Sequence, residues 1–351
     1  MKSLPASAAP TTCPRALRGP RAALRTLVAL ALVALLAPAP PVLAQAAPGE
    51  GDTLAHALLW RLDVPGAPAP SYVFGTIHLI DADEFVLSDS LMVALNRAER
   101  VVFEIDPQEM TNPMMAMGLM QRAMMPGDTS LRDLLSAEDY AAVDAHFSAM
   151  GLPMMFLDRV KPMFLSMLAG IDPSEMGGGL GGLFGTDDGD AGDDDGPGIK
   201  SYELELDGIA RAAGKQVGGL ETTDFQLSLF DSIPLGAQAA MLLDAVNAEP
   251  SADGEDELTK ITRVYTSGDV DGMYAMSVGG GEDGTGGAAG VAGFERMLIV
   301  NRNRNWIDPM RAQAGAGATL FAVGAGHLGG PEGVIRLLRA TGATLTPLSQ
   351  R

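Results

Sequence analysis

The sequence predicts an α/β fold, with a central, mostly parallel sheet of two related halves covered by helices. Short apolar runs alternate along the chain with segments of helical periodicity, as in sheets covered by helices. Two of these runs, at 71–77 and 318–323, each lead into a Gly-x-x-His motif. A predicted strand also ends in glutamate in each half, at Glu104 and Glu221. These repeated features indicate that the halves are distant copies of one unit.

The first half contains the elements of a βαβ unit, which is usually right-handed and parallel. Leu91, Leu95 and Ala98 follow helical spacing between two apolar runs. The predicted elements are a strand at 54–64, a strand at 71–77, a helix at 89–100 and a strand at 101–105. The methionine-rich stretch 110–170 is predicted to be helical, with its methionines in the core or, alternatively, on an adaptable surface for a peptide or apolar ligand.

The second half follows a glycine- and aspartate-rich insertion at 177–198, which lacks the ligand spacing of a calcium loop and is predicted to be disordered. A second glycine-rich insertion covers 279–293. The predicted helices are 202–213, 228–247, 257–267, 294–314 and 331–340, and the predicted strands are 216–220, 318–323 and 343–348.

The first 44 residues have the features of a secretory signal peptide. Five basic residues precede an apolar run at 26–36, and Val42-Leu43-Ala44 has the form of a cleavage site. An uncleaved membrane anchor is the alternative, but the run is short for a bilayer span. We therefore expect export, with the periplasm as the destination, a tether at 45–53 and a folded domain at 54–350. Cys13 is the only cysteine and lies in the leader, so the mature chain has no disulfide and no thiolate chemistry.

The chain is acidic, with a formal net charge of −20. This charge disfavours nucleic acid and anionic membrane surfaces as partners. We expect a peptide or small-molecule substrate and no membrane span after signal cleavage. The sequence does not indicate an oligomeric state.

Four polar residues lie at the predicted carboxyl ends of strands: His78, Glu104, Glu221 and His327. Ligands bind at this edge of open α/β sheets. The two imidazoles, His78 and His327, together with one of the two carboxylates suit a catalytic Mn, Co or Zn ion. The remaining carboxylate can act as a general base. Structural roles are the alternatives: hydrogen-bonding histidines, a salt-bridged Glu104, and Glu221 merely preceding a helix start.

Arg302 lies on the predicted helix before the last motif strand. It can hold a substrate carboxylate or a developing oxyanion, or it can form a structural ion pair with one of the many acids. We assign His56 and His146 structural or surface roles. No Gly-x-Ser-x-Gly and no His-Glu-x-x-His is present, so the usual serine-hydrolase and zincin patterns lack support.

The glycines of the two Gly-x-x-His motifs are also expected to have a structural role. Gly75, Gly324 and Gly326 permit either tight turns with positive φ or a close approach of the backbone to a bound group. A phosphate loop is disfavoured, because the lysine and hydroxyl residue of a P-loop are missing.

Taken in order, the segments FGTIHL, VVFEID, GLETTDFQL, NRNRNW and VGAGHLGGPEGV resemble the TraB/GumN family over roughly residues 54–350. The resemblance implies kinship with the Tiki metalloproteases, which depend on two Gly-x-x-His motifs, a glutamate and Mn or Co ions. It places the histidines on His78 and His327, the glutamate on Glu104 with Glu221 second, and the family's Arg-Asn motif on Arg302. More distantly, the family is similar to erythromycin esterase-like and haem-binding ChaN-like proteins.

Three functions are therefore expected in order of preference. The first is a metal-dependent peptidase or related hydrolase. The second is a protein that binds and sequesters a peptide or small ligand without turnover. The third is haem or iron binding, by analogy with the distant relatives.

Overall fold

The structure is a computed structural model that describes residues 53–110, 118, 121–169, 199–247, 257–279, 293 and 296–349. The predicted signal peptide at 1–44, the predicted insertion at 177–198, and nearly all of the predicted tether and second insertion lie outside the described residues. They stay predictions.

A six-stranded mixed sheet forms the centre of the fold, which confirms the predicted α/β class. The strand order is β6-β4-β7-β2-β1-β8. The strands are β1 (Leu59–Asp63), β2 (Ser71–Thr76), β4 (Arg100–Phe103), β6 (Gln216–Gly219), β7 (Thr319–Gly324) and β8 (Thr344–Leu348). The run β6, β4, β7 and β2 is parallel throughout, whereas β1 pairs antiparallel with both of its neighbours. A separate two-stranded sheet pairs β3 (Ile80–Asp81) with β5 (Ile199–Lys200).

Helices cover the sheet and form a lobe beside it. In chain order they are α1 (Asp89–Arg97), α2 (Pro107–Met110), α3 (Leu131–Leu134), α4 (Ala137–Ala149), α5 (Met154–Leu157), α6 (Pro162–Ala169), α7 (Tyr202–Ala212), α8 (Thr223–Asp231), α9 (Leu235–Val246), α10 (Glu257–Thr266), α11 (Val270–Gly279), α12 (Asn301–Ala316) and α13 (Val334–Ala340). A π-helical turn, Arg296–Val300, leads directly into α12, and a 3-10 turn, Ala325–His327, follows β7.

The two halves of the chain share one sheet by interleaving their strands. The predicted pair β2 and β4 is parallel, but β7 from the other end of the chain lies between them. β2 and β7 run side by side with Thr76 opposite Gly324. The two motif strands are therefore direct neighbours, although about 250 residues separate them in sequence.

Some predicted boundaries differ from the structure. The entering strand begins at Leu59, not at residue 54. The predicted helix 228–247 is two helices, α8 and α9, bent by 95° around a break at Pro234. Proline has no backbone N–H and its ring clashes with the preceding turn, so it begins α9 and does not continue α8. The closing helix likewise begins at Val334, beyond Pro331.

The core around the sheet contains large, fully buried side chains, among them Trp60, Phe74, Phe103 and Phe321. A second cluster fills the helical lobe between α4, α6 and α9, around Phe147 and Leu242. Four methionines of the methionine-rich stretch are buried, namely Met125, Met150, Met154 and Met163, whereas Met155 is 80% exposed. Core packing is thus the main role of the methionines that the structure describes there.

No single helix among the described residues is both long and apolar enough to cross a membrane. The bent pair α8 and α9 reaches that length and composition only when its two helices are taken together.

Candidate active site at the carboxyl edge of the parallel strands

The four parallel strands bring the predicted site residues to one edge of the sheet. Glu221, Glu104, His327 and His78 follow β6, β4, β7 and β2, which is also the order of these strands in space. The backbone N–H of Glu221 donates to the carbonyl of Glu104 at 2.9 Å, so the pairing of β4 and β6 continues past the strands. The structure therefore confirms that these residues meet at one edge, whereas their chemical roles stay predictions.

His327 is fully buried and held by α12. Its Nδ1 lies 2.6 Å from Oδ1 of Asn303, and its Nε2 lies 3.2 Å from Nη1 of Arg302. The amide nitrogen of Asn303 donates to two carbonyls, those of His327 and Glu332. The amide is therefore oriented with its oxygen toward Nδ1. The ring of Trp306 packs against the imidazole with centroids 4.5 Å apart.

This network fixes the charge and tautomer of His327. Because a guanidinium can only donate, Nε2 is an acceptor, and Nδ1 carries the proton that is donated to Asn303. Burial and the positive charge of Arg302 outweigh the attraction of Glu104 and lower the pKa of His327 to about 3. His327 is thus neutral at neutral pH. Its Nε2 lies 3.6 Å from Oε1 of Glu104 without forming an ion pair.

Arg302 is the charged centre of the hydrogen-bond network around the second Gly-x-x-His motif, which we call the second-motif network. Its other members are Glu104, Glu221, Asn303 and His327. The Nη2 of Arg302 bonds Glu104, its Nε donates to Glu221 at 2.8 Å, and its Nη1 reaches both the carbonyl of Leu298 and His327. Each guanidinium nitrogen therefore has a partner inside the protein. The ion pair that the sequence left open is present. A direct contact between Arg302 and substrate stays a prediction.

The two carboxylates also have further protein donors. The side-chain amide of Gln226 donates to Glu221 at 2.7 Å and to Glu104 at 3.3 Å. The indole of Trp306 donates to the second oxygen of Glu221 at 3.1 Å, and the backbone N–H of Gly324 donates to Oε1 of Glu104 at 2.8 Å. Burial raises the pKa of Glu104, but the neighbouring positive charges and this N–H lower it well below its ordinary value. Glu104 is therefore ionised.

His78 has a different partner. Its Nδ1 lies 2.8 Å from Oε1 of Glu203, and only 15% of each side chain is exposed. Glu203 is in the first turn of α7, and it also accepts hydrogen bonds from Thr76 at 2.6 Å and from Ser201 at 2.9 Å. Burial lowers the pKa of His78, but the carboxylate of Glu203 more than offsets this and raises the pKa to about 9.

The two motifs line one cavity of about 30 Å³, room for one or two water molecules. Its polar lining includes His78 and His327. Its apolar lining includes Ile261, Met273 and Met276, from α10 and α11.

The motif glycines are needed for close packing. Neither Gly75 nor Gly324 nor Gly326 has positive φ among the described glycines. A Cβ at Gly75 would lie 2.8 Å from Cδ1 of Leu328, and a Cβ at Gly326 would lie 2.3 Å from Oγ of Ser277. These glycines therefore make room for neighbouring side chains of the protein itself and do not supply positive φ, whereas a close approach to a bound group stays a prediction.

Imidazole and carboxylate, the donor types at this site, are ones that divalent metal ions bind. Both imidazoles are held through Nδ1, so Nε2 is the nitrogen that faces a ligand; Nε2 of His327 contacts Arg302 and lies 3.6 Å from Oε1 of Glu104. Within the part of the chain that the structure describes, however, no three His, Asp or Glu side chains are grouped closely enough to hold an ion. A metal ion at this site is therefore a matter of proposal.

Sequence reasoning missed Glu203, Gln226 and the contact that Asn303 makes with His327. Glu203 lies in a predicted amphipathic helix, where an acidic residue of the first turn is ordinary. The sequence gives no signal for it, because the position of that helix beside the strand ends is a tertiary property. The remaining histidines are away from the site: His56 is exposed, and His146 contacts the carbonyl of Ala169 at 3.2 Å.

The fold and the site define an α/β protein with a histidine–carboxylate centre at the carboxyl edge of its parallel strands. A family model described as the TraB/PrgY/gumN family matches residues 58–347. The chain belongs to this family. No curated protein and no solved structure matches it significantly.

Proposed function

We propose that this protein is an exported hydrolase that cleaves peptide bonds with the help of a Mn, Co or Zn ion. One observation carries the proposal: the two Gly-x-x-His motifs, from opposite ends of the chain, line the same cavity beside the ionised Glu104. Nε2 of His78, Nε2 of His327 and a carboxylate oxygen of Glu104 would hold the ion, and binding would release the proton that Nε2 of His78 carries at neutral pH in the metal-free protein. When bound, such an ion polarises a carbonyl and lowers the pKa of a bound water.

The chain's own residues supply the surroundings for this chemistry. His327 is neutral, with its Nδ1 proton donated to Asn303, and the lone pair of its Nε2 would bind the ion in place of the Nη1 of Arg302 that it contacts here. Arg302 holds Glu104 ionised, and Glu221 holds Arg302 through its own carboxylate. In this arrangement Glu221 orients the guanidinium. To act as the general base, Glu221 would have to break some of the hydrogen bonds that it accepts from protein donors.

The hydrolase is tested with the purified protein and a quenched peptide library, with Mn²⁺, Co²⁺ or Zn²⁺ added or removed by a chelator. We expect chelator-sensitive cleavage that His78→Ala and His327→Ala each reduce on the order of 10²-fold or more. The matched control is His56→Ala, at an exposed histidine, which should cleave like the unchanged protein. Equal cleavage by all three variants would contradict the proposal.

Export is part of the proposal and rests on the leader at 1–44. Expressed in a bacterium with an outer membrane, the protein should be recovered from the periplasm, with a mature amino terminus near residue 45. Recovery from the cytoplasm with Met1 retained would contradict this part alone.

A ligand-binding protein without turnover is the second candidate. The adjacent exposed side chains Met155 and Phe156, 80% and 58% exposed, favour it. Peptides captured intact, with Met155→Ser and Phe156→Ser weakening capture more than His78→Ala does, would support this candidate over the hydrolase. Capture that all three variants leave unchanged would count against it.

A further inference from the structure

We infer that Glu203 is the positioning residue of this site, holding the ring of His78 so that Nε2 is presented to the cavity. The inference rests on the proposed function for its chemical meaning, but its geometry stands by itself. Neither the sequence pattern nor the family match assigns Glu203 a role.

The geometry starts from the hydrogen bonds of the carboxylate. Oε1 of Glu203 accepts hydrogen bonds from Nδ1 of His78 at 2.8 Å and from the hydroxyl of Thr76 at 2.6 Å. Oε2 accepts one from the hydroxyl of Ser201 at 2.9 Å. Three donors on one ionised carboxylate fix its plane, and the carboxylate in turn fixes the imidazole.

The ring of His78 is thereby left with one available nitrogen. Among the described residues, Nε2 of His78 has no hydrogen-bond partner, and the side chain lines the cavity that it shares with His327. A carboxylate on one imidazole nitrogen fixes both the ring orientation and the atom that binds, which is how a supporting residue raises the affinity of a histidine site.

The end of β2, just before His78, is held by further contacts. The hydroxyl of Tyr265, on α10, donates to the carbonyl of Gly75 at 3.0 Å. Thr76, which contacts Glu203, is the last residue of β2. The strand end is therefore held by contacts that do not involve the side chain of His78. The hydrogen bond from His78 to Glu203 thus serves to orient the imidazole ring.

The test compares Glu203→Ala and Glu203→Gln with Glu205→Gln in the full protein. Glu205 is the matched control, because it is the other acid in the first turn of α7. The affinity for Co²⁺, followed by its visible spectrum, should fall about 10- to 100-fold in Glu203→Ala. It should fall less in Glu203→Gln, which keeps an oxygen acceptor for Nδ1, and it should not change in Glu205→Gln.

A second readout needs no metal and no turnover. The Nδ1 proton of His78 should give a slowly exchanging, far-downfield NMR signal in the unchanged protein and in Glu205→Gln, and Glu203→Ala should abolish it. Presence of this signal without any hydrolysis would leave the positioning role intact and contradict only the hydrolase. Hydrolysis, Co²⁺ affinity and ring signal that are all unchanged in Glu203→Ala would overturn the positioning role. If Glu203→Ala does not fold, Glu203→Gln with an unchanged Co²⁺ affinity and no ring signal overturns it as well.

Discussion

The two Gly-x-x-His motifs end neighbouring parallel strands, yet they place their histidines in opposite environments. His78 lies against the carboxylate of Glu203, and its pKa is raised to about 9. His327 lies between an amide and the guanidinium of Arg302, and its pKa is lowered to about 3. The same backbone device thus delivers one protonated and one neutral imidazole to a single cavity.

The difference shows that the motif sets where each histidine lies, whereas the surrounding helices set whether its imidazole is protonated. α7 supplies the acid to the first motif, whereas α12 supplies an asparagine and an arginine to the second. Opposed pKa shifts within one cleft are typical of functional sites.

The largest effect is expected at Glu104, in the second-motif network. Glu104→Ala leaves the buried guanidinium of Arg302 without one of its two carboxylates and should reduce the free energy of unfolding by about 3–5 kcal/mol. Glu99→Gln, at an exposed acid just before the same strand, should change it by less than about 0.5 kcal/mol. Urea unfolding measures both variants. A loss below about 1 kcal/mol in Glu104→Ala would contradict the network.

The two histidines should give stability slopes of opposite sign with pH. The stabilisation from His78, whose folded pKa is raised, is complete below pH 6.5 and lost as pH rises through about 9. The stabilisation from His327, whose folded pKa is lowered, is complete above pH 6.5 and lost as pH falls toward about 3.

Unfolding free energies measured at a series of pH values test whether the two slopes have opposite signs. His78→Gln should remove the decline on the alkaline side, up to roughly 3 kcal/mol, because one pKa unit corresponds to about 1.4 kcal/mol. His327→Gln should remove part of the decline on the acid side. Parallel curves for the unchanged protein and both variants would show that the two environments do not differ.

A smaller effect is expected where the two motifs touch. Gly75→Ala puts a Cβ 2.8 Å from Leu328 and 3.1 Å from Ala325, both just beyond β7, and should cost about 1–3 kcal/mol. Gly218→Ala is the control, since a Cβ at that strand glycine meets nothing within 4 Å. Equal stability of the two variants would mean that the motif strands are not packed as closely as described.

The smallest effect is expected at Thr76, whose side-chain hydroxyl donates to Glu203 at 2.6 Å. Thr76→Val removes the donor to Glu203 and should cost about 1 kcal/mol, whereas Thr76→Ser keeps the hydroxyl and should restore most of it. Thermal unfolding at pH 7 compares the two. Identical melting temperatures for Thr76→Val and the unchanged protein would contradict a stabilising hydrogen bond from Thr76 to Glu203.

Much of the fold could be predicted from local pattern, because apolar periodicity and Gly-x-x-His both act over a few residues. The ends of β2, β4, β6 and β7 fell close to their predicted positions for this reason. The insertion of β7 between β2 and β4 could not be predicted, since strand order depends on pairing between distant segments that no local pattern encodes.

The residues of the site also divide into those that a local pattern predicts and those that it does not. His78, Glu104, Glu221 and His327 were found because each directly follows a strand. Glu203 and Gln226 were missed because they lie on helices, where acidic and amide side chains are common and carry no positional signal. Their importance comes from which strand end each helix faces, and that is a tertiary property.

One measurement tests the contrast between the motifs most directly: an NMR pH titration of the His78 and His327 ring protons in the purified protein, assigned with His78→Gln and His327→Gln. The structure predicts that His78 titrates near pH 9 and that His327 stays neutral as far down as the fold persists, toward pH 3. Two histidines that titrate together near pH 6.5 would contradict the account.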